Sequence, residues 1–185
     1  MSWLNNKSIY IRFNKIIKLC NFSHGMKVLD VGCRELQLKK YIPSYVDYKA
    51  VDLEPKHKSV IKLDLNKEKL PFKDKVFDYV FCLEVLEHIN SPYDVLSELK
   101  RVSRKWIIVS VPNPYHYRDL GKHLFKMKEK QGHINSFIYP NIWRQCENLG
   151  LKIIKIKGSF FLPFIPSNNL LLTRHLIYLL ECIDY

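Results

Sequence analysis

Two acidic residues next to short apolar runs could bind a ligand that contains a ribose. Asp30 lies just before Gly32, where glycine permits a positive φ angle and lets a ligand come close to the backbone. Asp52 closes the next apolar run, about 20 residues after Gly32. An acidic side chain at that distance can accept hydrogen bonds from two ribose hydroxyls. The sequence therefore predicts a cofactor that carries a ribose.

The residues after Gly32 distinguish between ribose cofactors. A dinucleotide fingerprint would need glycines at positions 34 and 37, because the pyrophosphate lies against bare backbone, but the chain has Arg34 and Gln37 there. A phosphate-binding Walker loop is also absent, since no glycine-lysine-serine/threonine run follows. A ribose cofactor without a pyrophosphate fits better, and S-adenosylmethionine is the candidate.

The flanking residues predict the elements that position these side chains. The stretch from Lys27 to Leu36, KVLDVGCREL, starts with a mostly β-branched apolar run that is typical of a buried parallel strand. Residues 36–42 read as a helix that ends at Pro43. A second strand is predicted at 48–51. Strand, glycine turn and helix form the first unit of a nucleotide-binding βαβ fold, with the ligand at the carboxyl end of the strand.

Four segments in register resemble the class I S-adenosylmethionine-dependent methyltransferases. They are KVLDVGC, AVDLEP, KLDLNKEKLPFKDKVFDYVFC and LEVLEHI, and the match extends from residue 27 to about residue 158. The closest branch is the small-molecule type with a leucine-glutamate-x-leucine-glutamate-histidine signature after strand four. The resemblance implies an α/β, Rossmann-like three-layer sandwich, with a mostly parallel sheet of six to seven strands and helices on both faces. It also implies an enzyme that uses S-adenosylmethionine and releases S-adenosylhomocysteine.

The resemblance also implies a set of cofactor-binding residues. Asp64 would meet the adenine amino group and Leu65 would offer its backbone N–H to the ring. The strand-tip carbonyls of Cys82 and Leu83 would hold the methionine ammonium. The full predicted set is Asp30, Gly32, Cys33, Asp52, Leu53, Asp64, Leu65, Cys82, Leu83 and Glu84. Two alternatives stay open: Asp64 caps a turn, and the Cys82 thiol serves in packing.

Two positions in the glycine loop depart from the pattern of the resemblance. The usual pattern continues with glycine at positions 34 and 36, where this chain has Arg34 and Leu36. Side chains at these positions either crowd the methionine part of the cofactor or point outward.

A metal site is not predicted after strand four. Glu84, Glu87 and His88 partly match the HxxEH signature of zinc enzymes. The first histidine of that signature is missing, because position 84 is a glutamate. We therefore expect no metal ion there, and the resemblance implies that the segment lines the methionine end of the cofactor.

The acceptor side is predicted in a polar insertion at residues 112–136. The Asn/Asp-Pro-Pro-Tyr motif of amino-group methyltransferases is absent after strand four, and Asn113-Pro114 lies one strand too late to replace it. His133 is the candidate general base, since an imidazole can remove a hydroxyl proton near neutral pH. Alternatively His133 bonds loop backbone, and His116 and His123 are weaker candidates. The insertion concentrates positive charge at Arg118, Lys122, His123, Lys126, Lys128 and Lys130.

Composition bounds the remaining possibilities. The 185 residues, 47% of them hydrophobic, suit one compact domain. A net charge of +12 is compatible with nucleic acid, an anionic membrane surface or an acidic substrate, but the spread of lysines along the chain favours a solvated surface. Five cysteines without a CxxC pair indicate neither a zinc site nor a disulfide framework. With no signal peptide or transmembrane segment visible, the expected compartment is the cytoplasm.

The predicted domain plan has four parts. An amphipathic helix occupies residues 1–24, the core spans 25–158 and includes the insertion at 112–136, and residues 159–185 form an atypical hydrophobic tail. In the tail, residues 160–164 are a poor strand candidate because of nearby prolines, and residues 170–182 read as a hydrophobic helix. The alternatives for this tail are packing on the sheet edge, a homodimer contact, binding of a greasy substrate and membrane contact. Edge coverage or a homodimer is favoured, because an uncovered sheet edge promotes aggregation.

The predicted function is methyl transfer to a small or medium acceptor, at oxygen. A glycan, a lipid-like quinone ring or a carboxylate would fit. Two alternatives stay open: a degenerate methyltransferase fold that serves as a partner subunit, and an RNA-binding methyltransferase whose basic insertion contacts phosphates. Nucleic acid is the less favoured partner, because the amino-methyltransferase motif is absent.

Overall fold

The computed structural model describes residues 2–125, 132–162, 165–166, 169–170 and 172–183. The helices are α1 (Ser2–Ile17), α2 (Pro92–Val102), α3 (Tyr117–Leu124) and α4 (Tyr139–Asn148). The strands are β1 (Lys27–Val31), β2 (Asp47–Asp52), β3 (Ile61–Lys62), β4 (Phe77–Leu83), β5 (Ser103–Pro112), β6 (Leu151–Gly158), β7 (Phe160–Leu162), β8 (Ile165–Pro166) and β9 (His175–Cys182). Two short 3₁₀ helices cover Leu38–Tyr41 and Leu86–His88.

Seven strands form one sheet in the order β3-β2-β1-β4-β5-β9-β6. Strands β1 to β5 pair in parallel, and β9 is antiparallel to both of its neighbours, β5 and β6. The strand order reverses between β1 and β4, which is where ligands bind in open α/β sheets. The sheet confirms the predicted mostly parallel architecture.

Helices cover both faces of the sheet, as a three-layer sandwich requires. On one face, Phe13 and Ile16 of α1 pack with strand residues that include Phe81. On the other face, apolar side chains of α2 and α4, among them Leu96 and Ile142, form the larger core cluster. The predicted amphipathic face of the leading helix is therefore buried against the sheet. No helix within the described residues is long and apolar enough to cross a membrane.

The helix predicted at residues 36–42 is wrong in type and length. The structure has only a 3₁₀ turn at Leu38–Tyr41. Arg34 and Leu36 both have positive φ angles, of 51° and 54°, so a right-handed helix cannot start before residue 37. Because Pro43 disfavours helical geometry at the residue before it, too few positions remain for an α-helix.

The helix predicted at residues 170–182 is also wrong, because His175–Cys182 forms strand β9. This strand lies between β5 and β6 in the sheet, and the side chains on both of its faces are buried from Leu176 to Leu180. A run buried on both faces is apolar at every position, and its hydrophobic pattern cannot separate a strand from a helix. The apolar part of the tail thus packs within its own sheet, and a homodimer contact through the tail remains a prediction.

The poor strand candidate at residues 160–164 contains a short strand. Phe160–Leu162 pairs with Ile165–Pro166 in a separate two-stranded ribbon. A two-stranded ribbon has open edges, where a proline without an N–H can be accommodated. Residues 163–164 lie outside the described residues.

Candidate cofactor cleft and active site

A cleft of about 470 Å³ opens at the carboxyl ends of β1, β2 and β4. Six of the ten predicted cofactor residues line it: Gly32, Asp52, Leu53, Asp64, Leu65 and Glu84. An adjoining pocket of about 120 Å³ shares Gly32 and Glu84 with the cleft and is also lined by Asp30, Cys33 and Leu83. The topology thus brings residues from separate parts of the sequence to one edge of the sheet.

Cys82 is the predicted residue whose side chain lies outside both cavities. It is fully buried in the core, and burial raises the pKa of its thiol well above the ordinary value. A protonated, enclosed thiol suits packing and not nucleophilic attack, which supports the packing interpretation. A role for its backbone carbonyl remains a prediction.

Gly32 forms the tight turn between β1 and the following loop. Its φ angle is +75°, and its N–H donates a 2.9 Å hydrogen bond to the carbonyl oxygen of Val51. A Cβ atom at this position would lie 2.2 Å from Cγ2 of Val85, much closer than atoms can approach. The glycine is therefore required both by its backbone conformation and by the close packing of Val85, which lies two residues after the end of β4.

The loop after Gly32 turns its backbone toward Asp52. Both residues that stand where the resemblance expects glycine, Arg34 and Leu36, adopt the left-handed conformation that glycine favours. The Arg34 side chain is exposed and lines the cleft, whereas Leu36 packs beside Ala50 and Val60. The departures from glycine thus change the side chains but keep a left-handed backbone.

Asp52 lies at the end of β2, with both carboxylate oxygens bonded to backbone. Oδ2 accepts a 2.6 Å hydrogen bond from the N–H of Arg34, and Oδ1 accepts a 2.9 Å bond from the N–H of Glu54. An ionised carboxylate offers about four acceptor positions, so each oxygen can accept a further bond from a ligand hydroxyl.

Asp30 is buried near the end of β1, just before the glycine loop. The carboxyl group is 2% exposed and accepts a short hydrogen bond from the hydroxyl of Tyr48. Burial raises the pKa of Asp30 to about 7, and the bond from Tyr48 opposes this rise.

Asp64 caps a turn, as its alternative interpretation states. Oδ1 accepts a 3.0 Å hydrogen bond from the N–H of Asn66, and Oδ2 lies 3.1 Å from the ammonium of Lys67. The bond from Asn66, followed by the contact with Lys67, lowers the pKa of this carboxyl. Asp64 nevertheless lines the cleft beside Leu65, so its predicted contact with a ligand stays open.

Glu84 connects three elements at the back of the site. Oε1 accepts a 2.7 Å hydrogen bond from the hydroxyl of Ser110 on β5, and Oε2 lies 3.2 Å from Nε2 of His175 and 3.7 Å from the guanidinium of Arg12. Its φ angle is +58°, an uncommon conformation for a residue with a side chain. Arg12, Ser110 and His175 could not be found from the sequence, because no local motif marks residues that meet Glu84 only in the folded chain.

His133 lies beside His88, a residue of the cleft wall. The two ring centroids are 5.0 Å apart, and His88 lines the cleft. Backbone hydrogen bonds hold this arrangement, since the N–H groups of Ile134 and Asn135 donate to the carbonyl of Glu87 at 2.8 and 3.1 Å. The structure thus brings His133 next to a residue that lines the cleft, and its role as a general base remains a prediction.

Glu87 completes this group from the protein interior. Its side chain is 1% exposed, and burial raises its pKa to about 8. Glu87, His88 and His133 have potential metal-ligand atoms that all lie within 4.8 Å of one another. Spacing within residues 84–88 could not predict this group, because its third member comes from the distant segment around His133.

His116, a weaker candidate on the acceptor side, lines neither of the two cavities. His116 is buried and its ring contacts that of Tyr117, with centroids 4.4 Å apart. The predicted basic cluster cannot be placed. The side chains of Arg118, Lys122 and His123, and the whole of Lys126, Lys128 and Lys130, lie outside the described residues.

Comparison of the sequence with known proteins assigns most of the chain to a family. The family model for the methyltransferase domain matches residues 11–156. An uncharacterized protein of Methanocaldococcus jannaschii is 29% identical over 85% of this chain and 68% of its own length. A ubiquinone biosynthesis O-methyltransferase of Haemophilus ducreyi is 26% identical over 83% of this chain and 76% of its own length.

Solved structures share the fold. A SAM-dependent methyltransferase from Thermotoga maritima superimposes with a TM-score of 0.79 at 14% identity, covering 98% of this chain and 92% of the other. At that identity the similarity concerns the fold, whereas the family model covers most of the sequence. The chain therefore belongs to the methyltransferase domain family, as a class I S-adenosylmethionine-dependent methyltransferase.

Proposed function

We propose that the cleft binds S-adenosylmethionine across the ends of β1, β2 and β4. Asp52 would accept hydrogen bonds from the ribose hydroxyls, because its oxygens lie at the edge of the cleft and retain acceptor capacity. Asp64 and Leu65 would contact the adenine. Leu83 and Glu84 would lie near the methionine part of the cofactor. Gly32, which is among the residues that line the cavity, supports this fit, because glycine lets a ligand approach the backbone closely.

When bound, S-adenosylmethionine supplies a methyl group that is already activated by the sulfonium charge. The chain must therefore align the acceptor for in-line attack, exclude water and assist the loss of a proton. The histidine pair at the cleft mouth carries this proposal, since His88 and His133 are held together beside the cofactor cleft. His133 would assist the loss of the acceptor proton, as an imidazole that titrates near neutral pH can do.

The proposed acceptor is a small or medium molecule that carries a hydroxyl group. The missing Asn/Asp-Pro-Pro-Tyr motif argues against transfer to an amino group. The similarity to a ubiquinone biosynthesis O-methyltransferase supports transfer to oxygen. The lipid-like quinone ring is therefore favoured over a glycan or a carboxylate.

Methyl transfer is tested with S-adenosylmethionine that carries a tritiated methyl group. The acceptors are a catechol, an aliphatic carboxylic acid and a mixed RNA. We expect label in the catechol, and a several-fold slower reaction with His133→Ala than with the control His57→Ala, which changes an exposed histidine outside the cleft.

Three results would contradict the proposal. Label released as methanol by mild base would indicate a methyl ester and therefore a carboxylate acceptor. Label in RNA alone, lost steeply with added salt, would favour the RNA-binding alternative. No binding of S-adenosylmethionine to the folded protein would favour a partner subunit without a cofactor.

A further inference from the structure

A buried carboxylate without a complete set of partners lies behind the histidine pair. Glu87 is 1% exposed, and within the described residues its Oε2 atom has no hydrogen-bond partner. Burying a polar oxygen without a partner is costly, and buried carboxylates are ordinarily paired, hydrogen-bonded or bound to a metal. A cation or a hydrogen-bond donor beside this oxygen would remove that cost.

The two histidines present suitable atoms next to this carboxylate. One carboxylate oxygen of Glu87 and one ring nitrogen from each of His88 and His133 lie within 4.8 Å of one another. Ligand atoms around one divalent ion at about 2.1 Å lie about 3 to 4 Å apart. Small side-chain rotations would therefore bring the three groups to bonding distance.

The hydrogen bonding of His88 fits a metal ligand. Its Nδ1 lies 3.1 Å from the carbonyl oxygen of Gly132. A carbonyl oxygen only accepts hydrogen bonds, so Nδ1 is the donor in this contact, and Nε2 is the nitrogen that would bind a metal ion. Metal-binding histidines are commonly oriented by such a bond to a backbone carbonyl.

The backbone fixes the two halves of the group against each other. The carbonyl of Glu87 accepts hydrogen bonds from Ile134 and Asn135, and the side-chain amide of Asn135 donates to the carbonyl of Ile89. The segment that carries His133 is thus held on the segment that carries Glu87. His88 is exposed and lines the cofactor cleft, which leaves an entry path and open coordination positions.

We propose that Glu87, His88 and His133 bind a divalent cation whose open positions face the acceptor. Two imidazoles and one carboxylate suit Zn²⁺ or Fe²⁺ better than Mg²⁺ or Ca²⁺, which prefer oxygen ligands. An acceptor hydroxyl bound to this cation would lose its proton to solvent water more readily, because the cation lowers the pKa of the bound hydroxyl. His133 would then act as a ligand and not as the base itself.

Only the part played by the acceptor rests on the proposed function, and cation binding can be measured without it. Protein without a histidine tag is treated with a chelator, exchanged into metal-free buffer and titrated with Zn²⁺ in a calorimeter. We expect one equivalent to bind. The variants His88→Ala, His133→Ala and Glu87→Gln should each weaken binding by at least about tenfold, as expected for loss of a metal contact. The control His57→Ala should bind as the wild type does.

Two outcomes would overturn the metal site. One is a dissociation constant for the wild type weaker than about 1 mM, the range of the weakest protein metal sites. The other is binding that His88→Ala and His133→Ala leave unchanged. Since His88 is exposed, its variant tests the site even where Glu87→Gln fails to fold. Calorimetry with S-adenosylhomocysteine in the same metal-free buffer separates this inference from the proposed cofactor site: absence of S-adenosylhomocysteine binding contradicts the cofactor site, whereas absence of Zn²⁺ binding contradicts only the metal site.

Discussion

The backbone N–H of Arg34 donates a 2.6 Å hydrogen bond to the carboxylate of Asp52. This bond joins the glycine loop after β1 to the acidic residue at the end of β2. The bond helps to explain why the loop keeps a left-handed backbone without glycines at positions 34 and 36. The donor is a main-chain N–H, so the bond does not depend on which side chain stands at position 34.

Replacing Asp52 should weaken cofactor binding more than it weakens the fold. Hydrogen bonds to a charged group contribute about 1.5–3 kcal/mol, so Asp52→Ala should lower the affinity for S-adenosylmethionine roughly ten- to a hundredfold. The free energy of unfolding should fall by less, since the Arg34 and Glu54 bonds are exposed to solvent. Calorimetric titration and urea denaturation measure the two effects. Asp47→Asn, at the exposed start of the same strand, is the control. If Asp52→Ala bound S-adenosylmethionine as tightly as the wild type does, Asp52 would not belong to the cofactor site.

Gly32→Ala should destabilise the protein through a specific clash. The added Cβ would meet Cγ2 of Val85 at 2.2 Å, at a φ angle of +75°. Overpacking and the left-handed backbone together should cost about 3 kcal/mol. The double variant with Val85→Ala relieves the clash alone, so its loss should be smaller than the sum of the single losses by about 1–2 kcal/mol. If the losses in the free energy of unfolding were additive in urea denaturation, the added methyl group at position 32 would not clash with Val85.

Arg34→Gly should maintain or raise stability, in contrast to an ordinary glycine substitution. The left-handed φ angle of 51° at Arg34 costs a residue with a side chain about 1–2 kcal/mol. The extra freedom of glycine in the unfolded chain costs about 0.5–1 kcal/mol. The net change in the free energy of unfolding should lie between zero and a gain of about 1 kcal/mol.

The neighbouring exposed residue provides the control for this comparison. Glu35 does not have a positive φ angle, so Glu35→Gly should lose about 0.5–1 kcal/mol. Equal losses for Arg34→Gly and Glu35→Gly would show that the conformation at Arg34 carries no strain.

Asp30 should make stability fall as the pH rises. Burial raises its pKa to about 7 from the ordinary value of 3.8. Between about pH 4 and pH 7 the folded carboxyl keeps a proton that the unfolded chain has released, so raising the pH favours unfolding. At about 1.4 kcal/mol per pKa unit, the loss over this window is up to about 4 kcal/mol.

Asp30→Asn isolates this contribution. The amide keeps an acceptor for the Tyr48 hydroxyl but does not titrate, so the variant should gain stability relative to the wild type between pH 4.5 and 7.5 in urea denaturation. Tyr48→Phe removes the bond that lowers the Asp30 pKa and should extend the decline above pH 7. Parallel pH profiles for the wild type and Asp30→Asn would contradict the buried, titrating carboxyl.

The cleft was predictable from sequence because it is built at strand ends. A short apolar run followed by glycine or an acidic residue, as at Gly32 and Asp52, marks the carboxyl end of a parallel strand. Such ends meet at the same edge of a sheet whatever lies between them in sequence. This is why residues such as Leu65 and Glu84 also line the predicted cleft.

Contacts that depend on strand order or on backbone groups could not be predicted in the same way. His175 reaches Glu84 because β9 lies beside β5, and the continuous apolar pattern of β9 did not identify it as a strand. Glu87 meets His133 through hydrogen bonds of the backbone, and backbone groups leave no pattern in a sequence. The left-handed backbone at Arg34 was likewise not predictable, because an arginine rarely adopts the conformation that glycine favours.

The insertion of β9 between β5 and β6 has a consequence for protein synthesis. β9 is made after every other described strand, and among the described strands β6 pairs with β9 alone. On the ribosome, β1 to β5 can pair while β6 still has no neighbour and Glu84 lacks its contact with His175. The nascent chain must therefore keep an unpaired edge at β5 until β9 emerges, and such an open edge promotes aggregation in that interval.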